Sequence, residues 1–515
     1  MRKFTQAAGS ERGIALVAAL LALLVLSTLT TAFIFVANTE TSTTTNYKAL
    51  TQGRYLAEAG VERTLYWMRY NYTALPENSY DISKSPVTFN NAKVVLSGRD
   101  GGTGVPANYP DSNKQADFHS NANLYNHPWT QDLSTSTNVS STTTRLSGTY
   151  STSATLLAFR NTQALDSTTT SATEMWQVTS EGSVTGTRGP AATVQVDAIV
   201  ERRGTPVFNY GLFATGTGCG VIGLSSLTNG IVDSWDSSNG GMYAVTKNQT
   251  PSGHGDIGAN GGANLSGNFD VWGSLSTPLV DQDTHACSDG APNALNDTSS
   301  GAIRGEPRDK GGKIQLPEAL TFDDPPPISN PPVTNQAVNS STCGTTIPTC
   351  HRVGTTYTLD PAQYGNLTLF GSGNTFMFST GTYTINSINM ISGKLQIAPG
   401  GPVRIQVAGA SLQAGVNPIS INANFNVNTN GVPVPSNLSF SYNGTGTVQV
   451  NGETYGVVYA PHAFVNMAAG NWYGAMVMNK FSASGGASFH YDLALLDNFC
   501  LTLPWRVVSM SRNKY

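Results

Sequence analysis

The fold of this chain is decided near its start, where residues 13–37 read GIALVAALLALLVLSTLTTAFIFVA. No charged residue lies between Arg12 and Glu40. The apolar run Ile14–Ala37 is longer than the roughly 20 residues that a helix needs to cross the hydrocarbon core of a bilayer. This stretch therefore predicts a membrane-spanning helix.

The residues before this helix set its expected orientation. Arg2, Lys3 and Arg12 outnumber Glu11 in the leader, so the amino terminus should stay in the cytoplasm and the rest of the chain should face outward. An ordinary secretory signal has a shorter apolar core, about 7 to 15 residues, followed by a small-residue cleavage site. This chain has neither the short apolar core nor the small-residue cleavage site. The alternative to a leader that is cleaved before the apolar helix is a plain signal anchor, which is not cleaved.

The apolar pattern continues beyond the bilayer length with a period of about 3.6 residues. It is carried by Tyr47, Leu50, Ala57, Val61, Leu65 and Met68. We expect one helix from Ile14 to about Arg69, roughly 80 Å long at about 1.5 Å per residue, so its outer half must pack on a folded domain. The Thr-rich segment Asn38–Asn46 is the expected place of a bend, and Arg54 and Glu58 have the spacing of a helical ion pair.

Three segments of this region carry a family resemblance: Glu11–Val17 (ERGIALV), Asn38–Thr41 (NTET) and Tyr55–Glu62 (YLAEAGVE). Together they resemble the N-terminal region of PilX-type minor type IV pilins. The resemblance implies that prepilin peptidase cleaves after Gly13 and methylates the new amino terminus at Ile14. It also implies residence in the bacterial inner membrane before assembly, then in a pilus on the cell surface, with other major and minor pilins and the assembly machinery as partners.

One position departs from the common pilin pattern. Most pilins carry Glu at the fifth mature position, where its carboxylate compensates a neighbour's terminal ammonium, whereas this chain has Ala18. An uncompensated charge in an apolar filament core is costly, so this departure suits the filament tip, where a subunit has fewer neighbours. Some minor pilins and the tip-like pseudopilins of type II secretion systems share it, and a role in secretion stays an alternative.

Composition limits the remaining classes. The 515 residues suggest two or three folded units, and a net charge of -4 without a basic cluster argues against a nucleic-acid partner. The 53 glycines and many short apolar runs are typical of an extracytoplasmic β protein.

The five cysteines fit the same compartment. Cys343 and Cys350 lie close enough in sequence to close a small disulfide. Cys219 and Cys287 are further candidates for a disulfide, and Cys500 is the fifth cysteine. Because five is an odd number, one thiol must remain without a disulfide partner within the chain. There is no C-x-x-C pair, which argues against a zinc ribbon or a thioredoxin-like centre.

Residues 71–203 predict an α+β pilin-like module together with the helix. Trp176–Val184 and Ala192–Val200 alternate like strands and predict a hairpin around residues 186–190. An antiparallel sheet of this kind would cover the apolar stripe of the helix. The Ser/Thr-rich stretch Leu133–Ser171 is interpreted as an insertion that forms a flexible surface loop, with a dedicated binding surface as the alternative.

After residue 203 the chain consists of strand-length runs separated by Gly and Asn. Examples are Ile231–Trp235, Asn268–Trp272, Thr375–Phe378, Thr382–Ile385, Val403–Val407, Leu438–Tyr442 and Thr447–Val450. Repeated short runs without helices predict a right-handed parallel β-helix, with a β-sandwich as the alternative. The Pro-rich residues 316–335 cannot join a strand ladder and are expected to be an extended crossing or linker.

The predicted division of the chain follows from these segments. It comprises a leader at 1–13, the long helix at 14–70 with its membrane or filament-core part at 14–37, the pilin-like β domain at 71–203, a first β-helix part at 204–315, the linker at 316–335 and a second part at 336–505.

The carboxyl-terminal part carries a weaker resemblance. Gly456–Pro461, Trp472–Val477 and Phe489–Asp492 resemble a β-rich domain that is often joined to PilX-type N-termini in large bacterial pilin-like proteins. The likeness runs from about residue 357 to 495, and Asp233–Ser237 looks like its upstream partner. It implies an architecture and no assigned chemistry.

Few residues suggest a ligand. The G-x-G-x-x-G runs at 218–223 and 253–258 have no predicted helix to follow them, so they are interpreted as Gly-rich turns. Asp233, Asp236 and Asn239 could bind Ca²⁺ through hard oxygens, although they lack a full loop spacing, and capping of turns is the alternative. No other cofactor is expected.

No catalytic residue is predicted either. The seven histidines are scattered and no G-x-S-x-G elbow occurs, so a zinc or serine hydrolase is not indicated. His490 and Asp492 are interpreted as a local polar pair. Trp235, Trp272 and Trp472 are candidates for contact with a receptor or glycan, with core packing as the alternative.

These observations predict a minor type IV pilin at or near the pilus tip, which supports assembly and displays a β-rich domain for adhesion. It is not expected to be an enzyme. The alternatives are a tip-like minor pseudopilin of a type II secretion system, or a membrane-anchored surface β-helix protein that is an adhesin or acts on polysaccharide.

Overall fold

The structure, a computed structural model, describes residues 11–74, 80–97, 108–120, 125–133, 144–165, 170–186, 192–239, 243, 253–279, 294–297, 302–306, 312–399, 401–422, 433–502 and 504–514. Residues Met1 to Ser10 of the predicted leader lie outside the described residues.

Helices and strands follow one another along the described chain. The helices are α1 (Glu11–Tyr70), α2 (Ser112–Ser120) and the short α3 (Leu495–Asn498). The strands are β1 (Thr88–Phe89), β2 (Ala92–Lys93), β3 (Val95–Ser97), β4 (Tyr125–Leu133), β5 (Thr144–Gln163), β6 (Thr170–Gly186), β7 (Ala192–Arg202), β8 (Gly204–Pro206), β9 (Leu212–Ala214), β10 (Ile222–Trp235), β11 (Ile257–Ala259), β12 (Ala263–Val271), β13 (Leu275–Thr277), β14 (Leu295–Asp297), β15 (Lys313–Gln315), β16 (Asn335–Val338), β17 (Cys350–Val353), β18 (Thr356–Leu359), β19 (Gln363–Leu369), β20 (Thr375–Phe378), β21 (Gly381–Met390), β22 (Lys394–Ile397), β23 (Val403–Val407), β24 (Ile419–Ile421), β25 (Leu438–Tyr442), β26 (Thr447–Val450), β27 (Thr454–Met467), β28 (Asn471–Ala483), β29 (Ser488–Asp492), β30 (Cys500–Thr502) and β31 (Arg506–Lys514).

The chain divides into two compact units. The helix unit comprises Met1–Arg160, Ala172–Arg203 and Leu503–Tyr515, and the β unit comprises Asn161–Ser171 and Gly204–Thr502. The β unit is therefore inserted into the sequence of the helix unit. The predicted division does not include the return of residues 503–515 to the helix unit.

Helix α1 confirms the expected long N-terminal helix. It is continuous through 38–46, where a bend was expected, and the hydroxyls of Thr39, Thr41 and Thr45 donate to the carbonyl oxygens four residues before them. The outer half buries Ala57, Val61, Leu65 and Met68 as the stripe predicts. Tyr47 is an exception because its side chain is 72% exposed, so the packed part of the stripe begins after it.

Gly60 of α1 and Gly182 of β6 let the helix approach the sheet of the helix unit closely. A Cβ atom on Gly60 would lie 2.2 Å from Ser180 Oγ and 2.9 Å from a ring carbon of Tyr150. A Cβ atom on Gly182 of β6 would lie 2.2 Å from the carbonyl oxygen of Gly53. Side chains at Gly60 and Gly182 would therefore push the helix away from the strands.

The sheet under α1 has the order β3-β5-β6-β7-β31, with β4 paired to β5. The predicted hairpin forms, because β6 and β7 pair antiparallel from Val184↔Ala192 to Glu174↔Arg202. The interpretation of 133–171 as a flexible loop is wrong for 144–163, which form β5, a strand paired on both edges. Its Ala154, Leu156 and Phe159 are buried in the core, and alternating Ser and Thr on the other face concealed this pattern.

The end of β5 and the residues after it belong to the β unit. The guanidinium of buried Arg404 donates to the carbonyl oxygen of Ala164 at 3.0 Å and to that of Ser436 at 2.9 Å. Ser439 Oγ donates to the carbonyl oxygen of Leu165 at 2.6 Å. These bonds hold residues 163–165 against β23 and β25.

The β unit consists mainly of a 17-stranded sheet whose strands pair in parallel. The order of strands in this stack differs from their order in sequence. β9 pairs with β11 on one side and with β28 on the other, and β10 likewise lies between β12 and the pair β28 and β29. The first strands of this sheet in sequence, β9 and β10, therefore lie beside its last strands, β28 and β29, in the middle of the stack.

The Pro-rich segment 316–334 connects the two ends of this stack, which agrees with the expected extended crossing. Ten parallel pairings separate β15 from β16, about 48 Å at roughly 4.8 Å per strand. About 20 residues in an extended proline-type conformation can reach roughly 60 Å. Contacts follow the stack in order: Leu320 with Asn260, Phe322 with Phe213, Asp323 with Tyr459, Pro325 with Asn443 and Val333 with Asn366.

Candidate functional site

The first candidate site is the amino-terminal half of α1. Gly13, Ile14 and Ala18 all lie within this helix. Its side chains from Ile14 onward are exposed, and the large apolar ones are 49–71% exposed between Ile14 and Val36. Residues 14–70 form a helix that is long and apolar enough to cross a membrane by length and composition. Such an exposed apolar surface requires an apolar environment, because about 25 cal/mol is lost for each Å² left in water.

The outer half of α1 carries the expected ion pair. Arg54 Nε lies 2.6 Å from Glu58 Oε1, and both side chains are partly exposed. A pair of this kind contributes only about 0.3–0.5 kcal/mol. Its contribution is modest support of the helix face.

The second candidate site is a ladder of polar and aromatic side chains in the β unit, formed by Tyr455, Tyr473, His490 and Asp233. Strand register places them directly beside one another on β27, β28, β29 and β10. The rings of Tyr455 and Tyr473 are stacked 4.2 Å apart, and those of Tyr473 and His490 are stacked 4.6 Å apart. We call these four residues the His490 ladder.

Asp233 supplies the buried carboxyl group of the ladder. Its Oδ1 atom accepts a 2.6 Å hydrogen bond from His490 Nδ1, and its Oδ2 atom accepts one from the hydroxyl of Tyr243. The Tyr243 ring also contacts the imidazole, with ring centres 4.0 Å apart. Because both carboxylate oxygens have donors, Asp233 is compensated in the interior.

The predicted pair of His490 with Asp492 is wrong, because His490 contacts Asp233. Asp492 instead accepts hydrogen bonds from the backbone N–H and the hydroxyl of Ser237, at 2.9 and 2.7 Å, and from the N–H of Ala494 at 3.1 Å. Burial raises the pKa of Asp492, and the donors of Ser237 oppose this rise. Neighbours across a parallel stack, rather than along one strand, decide these pairings.

The three tryptophans occupy different environments. Trp235 and Trp472 are 5% and 1% exposed, so they pack in the core and are not available to a receptor. Trp272 is half-buried, and the guanidinium of Arg304 lies 4.9 Å from its ring centre. Of the three, Trp272 has the accessible surface.

The Ca²⁺ candidates do not form a set. Asp233 is occupied by His490 and Tyr243, whereas Asp236 accepts hydrogen bonds from the N–H and hydroxyl of Ser238, as in a capped turn. Asn239 ends the short 3-10 turn at 237–239. Within the described ranges, no group of three or more His, Cys, Asp or Glu residues is arranged to hold a metal ion.

The described cysteines include two that are joined to each other. Cys343 and Cys350 form a disulfide that closes a loop between β16 and β17. Cys219 is also disulfide-bonded. Cys287 lies outside the described residues. The Gly-rich runs at 218–223 and 253–258 lead into β10 and β11, as turns do before strands.

A buried carboxyl group in the helix unit was not recognised from the sequence. Glu174 lies among Tyr72, Tyr109 and Trp176, and Trp176 Nε1 donates a 2.7 Å hydrogen bond to it. Burial raises the pKa of Glu174 to about 7. The strand pattern at 176–184 gave no signal for Glu174, because this residue precedes the first position of the pattern.

The tyrosines of the ladder did leave a signal in the sequence. Tyr455-Gly456 and Tyr473-Gly474 repeat the same dipeptide, and β27 and β28 align these two pairs in register. Tyr243 has no comparable signal, because it belongs to none of the described strands.

Comparison with known protein families finds a match in the β unit. Residues 322–498 are similar to a family described as a domain of unknown function (DUF7305). The matched range contains Tyr455, Tyr473 and His490 but neither Asp233 nor α1. Comparisons with curated proteins and with solved structures gave no match.

Proposed function

We propose that this chain is a PilX-like minor type IV pilin that is incorporated at or near the pilus tip, supports pilus assembly and displays its β unit for adhesion. The observation that carries the proposal is helix α1. One continuous helix has an exposed, apolar first half, while one face of its second half is buried against an antiparallel sheet.

The apolar first half of α1 suits two successive environments, the membrane and the filament. In the inner membrane, lipid would cover the residues from Ile14 to Ala37, which the length and composition of the helix permit. In a filament, helices of other pilins would replace the lipid. Cleavage after Gly13 and methylation of Ile14 by prepilin peptidase would precede this exchange, as the resemblance of Glu11–Val17 implies.

Ala18 supports a place at the tip. Without a carboxylate at this position, the subunit offers no compensation for the terminal ammonium of a neighbour, and an unpaired charge in an apolar core is costly. A tip subunit has fewer neighbours that need compensation.

The β unit is proposed to be a right-handed parallel β-helix. Its support is the parallel pairing of successive strands, such as β19 with β21, β21 with β23 and β23 with β25. A unit of about 300 residues inserted between two strands would not fit at every step of a fibre, and this also favours the tip. Its role is display, with Trp272 as a candidate contact for a receptor or glycan.

Intact mass spectrometry of the membrane-extracted protein tests the proposal. We expect a mass without residues 1–13 and with one added methyl group at Ile14, and the full-length mass in a strain without prepilin peptidase. Retention of Met1 to Gly13 in both strains would favour a plain membrane-anchored surface protein.

Sheared filaments test the place of action. We expect a few copies of this chain per fibre, at one end, by immunogold labelling. Absence from pili, together with normal piliation and lost secretion in a deletion strain, would favour a minor pseudopilin of a type II secretion system.

A further inference from the structure

Strand β31 completes the sheet of the helix unit, although it follows the whole β unit in sequence. β31 pairs antiparallel with β7, with Arg506 opposite Glu201 and Arg512 opposite Val196. About 300 residues of the β unit separate β7 from β31 in sequence. The sheet under α1 therefore lacks this strand until the whole β unit has been synthesised.

The residues at the start of β31 contact the end of α1 directly. Trp505 is 4% exposed, and its ring packs edge-on against Tyr72 with ring centres 5.9 Å apart. Arg69, in the last turn of α1, donates a 3.2 Å hydrogen bond to the carbonyl oxygen of Trp505. These contacts make the return of the chain part of the core that holds the helix.

Glu201 of β7 depends on the same return. Its carboxylate is buried and accepts hydrogen bonds of 2.8 and 2.6 Å from Arg506, besides an ion pair with Arg203 at 3.1 Å. Removal of one partner of a buried carboxylate is strongly destabilising, because the remaining charge is poorly solvated. Without β31, β7 would also become an unpaired edge whose Val194, Val196 and Val200 face the core.

The strands before β31 close the β unit in the same way. β28 and β29 pair with β9 and β10, which are made more than 200 residues earlier, and β30 pairs with β8. In order of synthesis, the strands that close the β unit therefore come before the strand that completes the helix unit.

We propose that β31 acts as a completion check, so that the helix unit becomes stably folded, and thus competent for assembly, only in chains whose β unit is complete. The part of this proposal that concerns assembly into filaments rests on the proposed function. The part that concerns folding of the helix unit applies to the isolated chain. A truncated chain would carry the same α1 on an unfinished sheet and would be excluded from filaments.

Amide hydrogen exchange of the purified chain tests the folding part. Deletion of residues 504–515 should accelerate exchange in β6, β7 and residues 50–70 of α1 by about tenfold or more, while exchange in β19 to β25 stays as in the intact chain. Addition of a peptide of residues 504–515 should restore protection. Trp505→Ala and Arg506→Ala should act in the same direction, and Val508→Ala, at an exposed position of the same strand, is the matched control.

Four outcomes separate the possibilities. Unchanged exchange in β7 after the deletion would overturn the inference, as would equal acceleration in β19 to β25. Incorporation of the deleted chain into sheared pili at the intact level would overturn the assembly check even if exchange changes. Absence of the intact chain from pili would instead overturn the proposed function. The folding part of the inference would still stand or fall by itself, because the exchange measurement does not depend on pili.

Discussion

His490 Nδ1 lies 2.6 Å from the carboxylate of Asp233, although 257 residues separate them in sequence. Both side chains are buried, and the pair joins β29 to β10, where the end of the β unit meets its beginning. This bond therefore lies where the carboxyl-terminal strands of the β unit pair with its amino-terminal strands. We therefore expect loss of the contact between His490 and Asp233 to lower the free energy of unfolding of the β unit.

Replacement of His490 tests this expectation. We expect His490→Ala to lower the free energy of unfolding of the β unit by about 2–4 kcal/mol, because it leaves Asp233 buried without its imidazole donor. Urea unfolding, followed by exchange of β10 and β29 amides, measures the effect. His351→Ala removes an exposed pair with Asp360 and should change stability by less than about 1 kcal/mol. Equal losses in both variants would contradict a special role for the contact between His490 and Asp233.

The buried Glu174 predicts a pH dependence of the helix unit. Burial raises its pKa from 4.5 to about 7, so the folded state holds its proton more tightly than the unfolded state. Its contribution to stability is therefore fully present below about pH 4.5 and is lost as pH rises to about 7.

Replacement by an uncharged isostere should remove this dependence. We expect Glu174→Gln to be more stable than the natural chain at pH 8, by up to roughly 3 kcal/mol, and similar to it at pH 4. Its amide oxygen can still accept the bond from Trp176. Thermal unfolding followed by near-ultraviolet circular dichroism measures the difference, with the exposed Glu62→Gln as control. A constant difference across pH 4–8 would contradict the prediction.

Gly60 and Gly53 provide a matched pair on α1. A Cβ atom on Gly60 would overlap Ser180 Oγ at 2.2 Å, so Gly60→Ala should destabilise the helix unit by about 1–3 kcal/mol. A Cβ atom on Gly53 would lie 3.2 Å from the nearest atom of Val194, which can yield slightly. Because Ala favours helix by up to about 1 kcal/mol over Gly, Gly53→Ala should be near neutral. Denaturant unfolding measures both, and a greater loss at Gly53 would contradict the helix packing described above.

The crossing segment predicts that a cut chain stays together. A protease site placed between Ser329 and Asn330, which are exposed, should be cleaved without unfolding the β unit. The two fragments share the pairings of β28 with β9 and β10 and of β29 with β10. Under native, reducing conditions we expect them to co-elute in size-exclusion chromatography and to separate only in denaturant. Separation under native conditions would contradict the strand order described here.

Local sequence patterns determined several elements of this protein. The uncharged run 14–37 and the stripe after it specify α1, because a helix needs only local hydrogen bonds and a periodic apolar face. The alternation in 176–184 and 192–200 specifies the hairpin of β6 and β7 for a similar reason. The prolines of 316–334 specify an extended crossing, because they cannot join a ladder.

Only the tertiary structure decided which distant strands are neighbours. Alternation tells which side chains face the core, but any short apolar strand offers the same backbone groups to a parallel partner, so the pairing of β28 with β9 could not be read from local sequence. The same limit concealed β5 within a Ser/Thr-rich stretch, the return of β31 to β7 and the contact of His490 with Asp233. These depend on long-range register, which is fixed when the whole core packs at once.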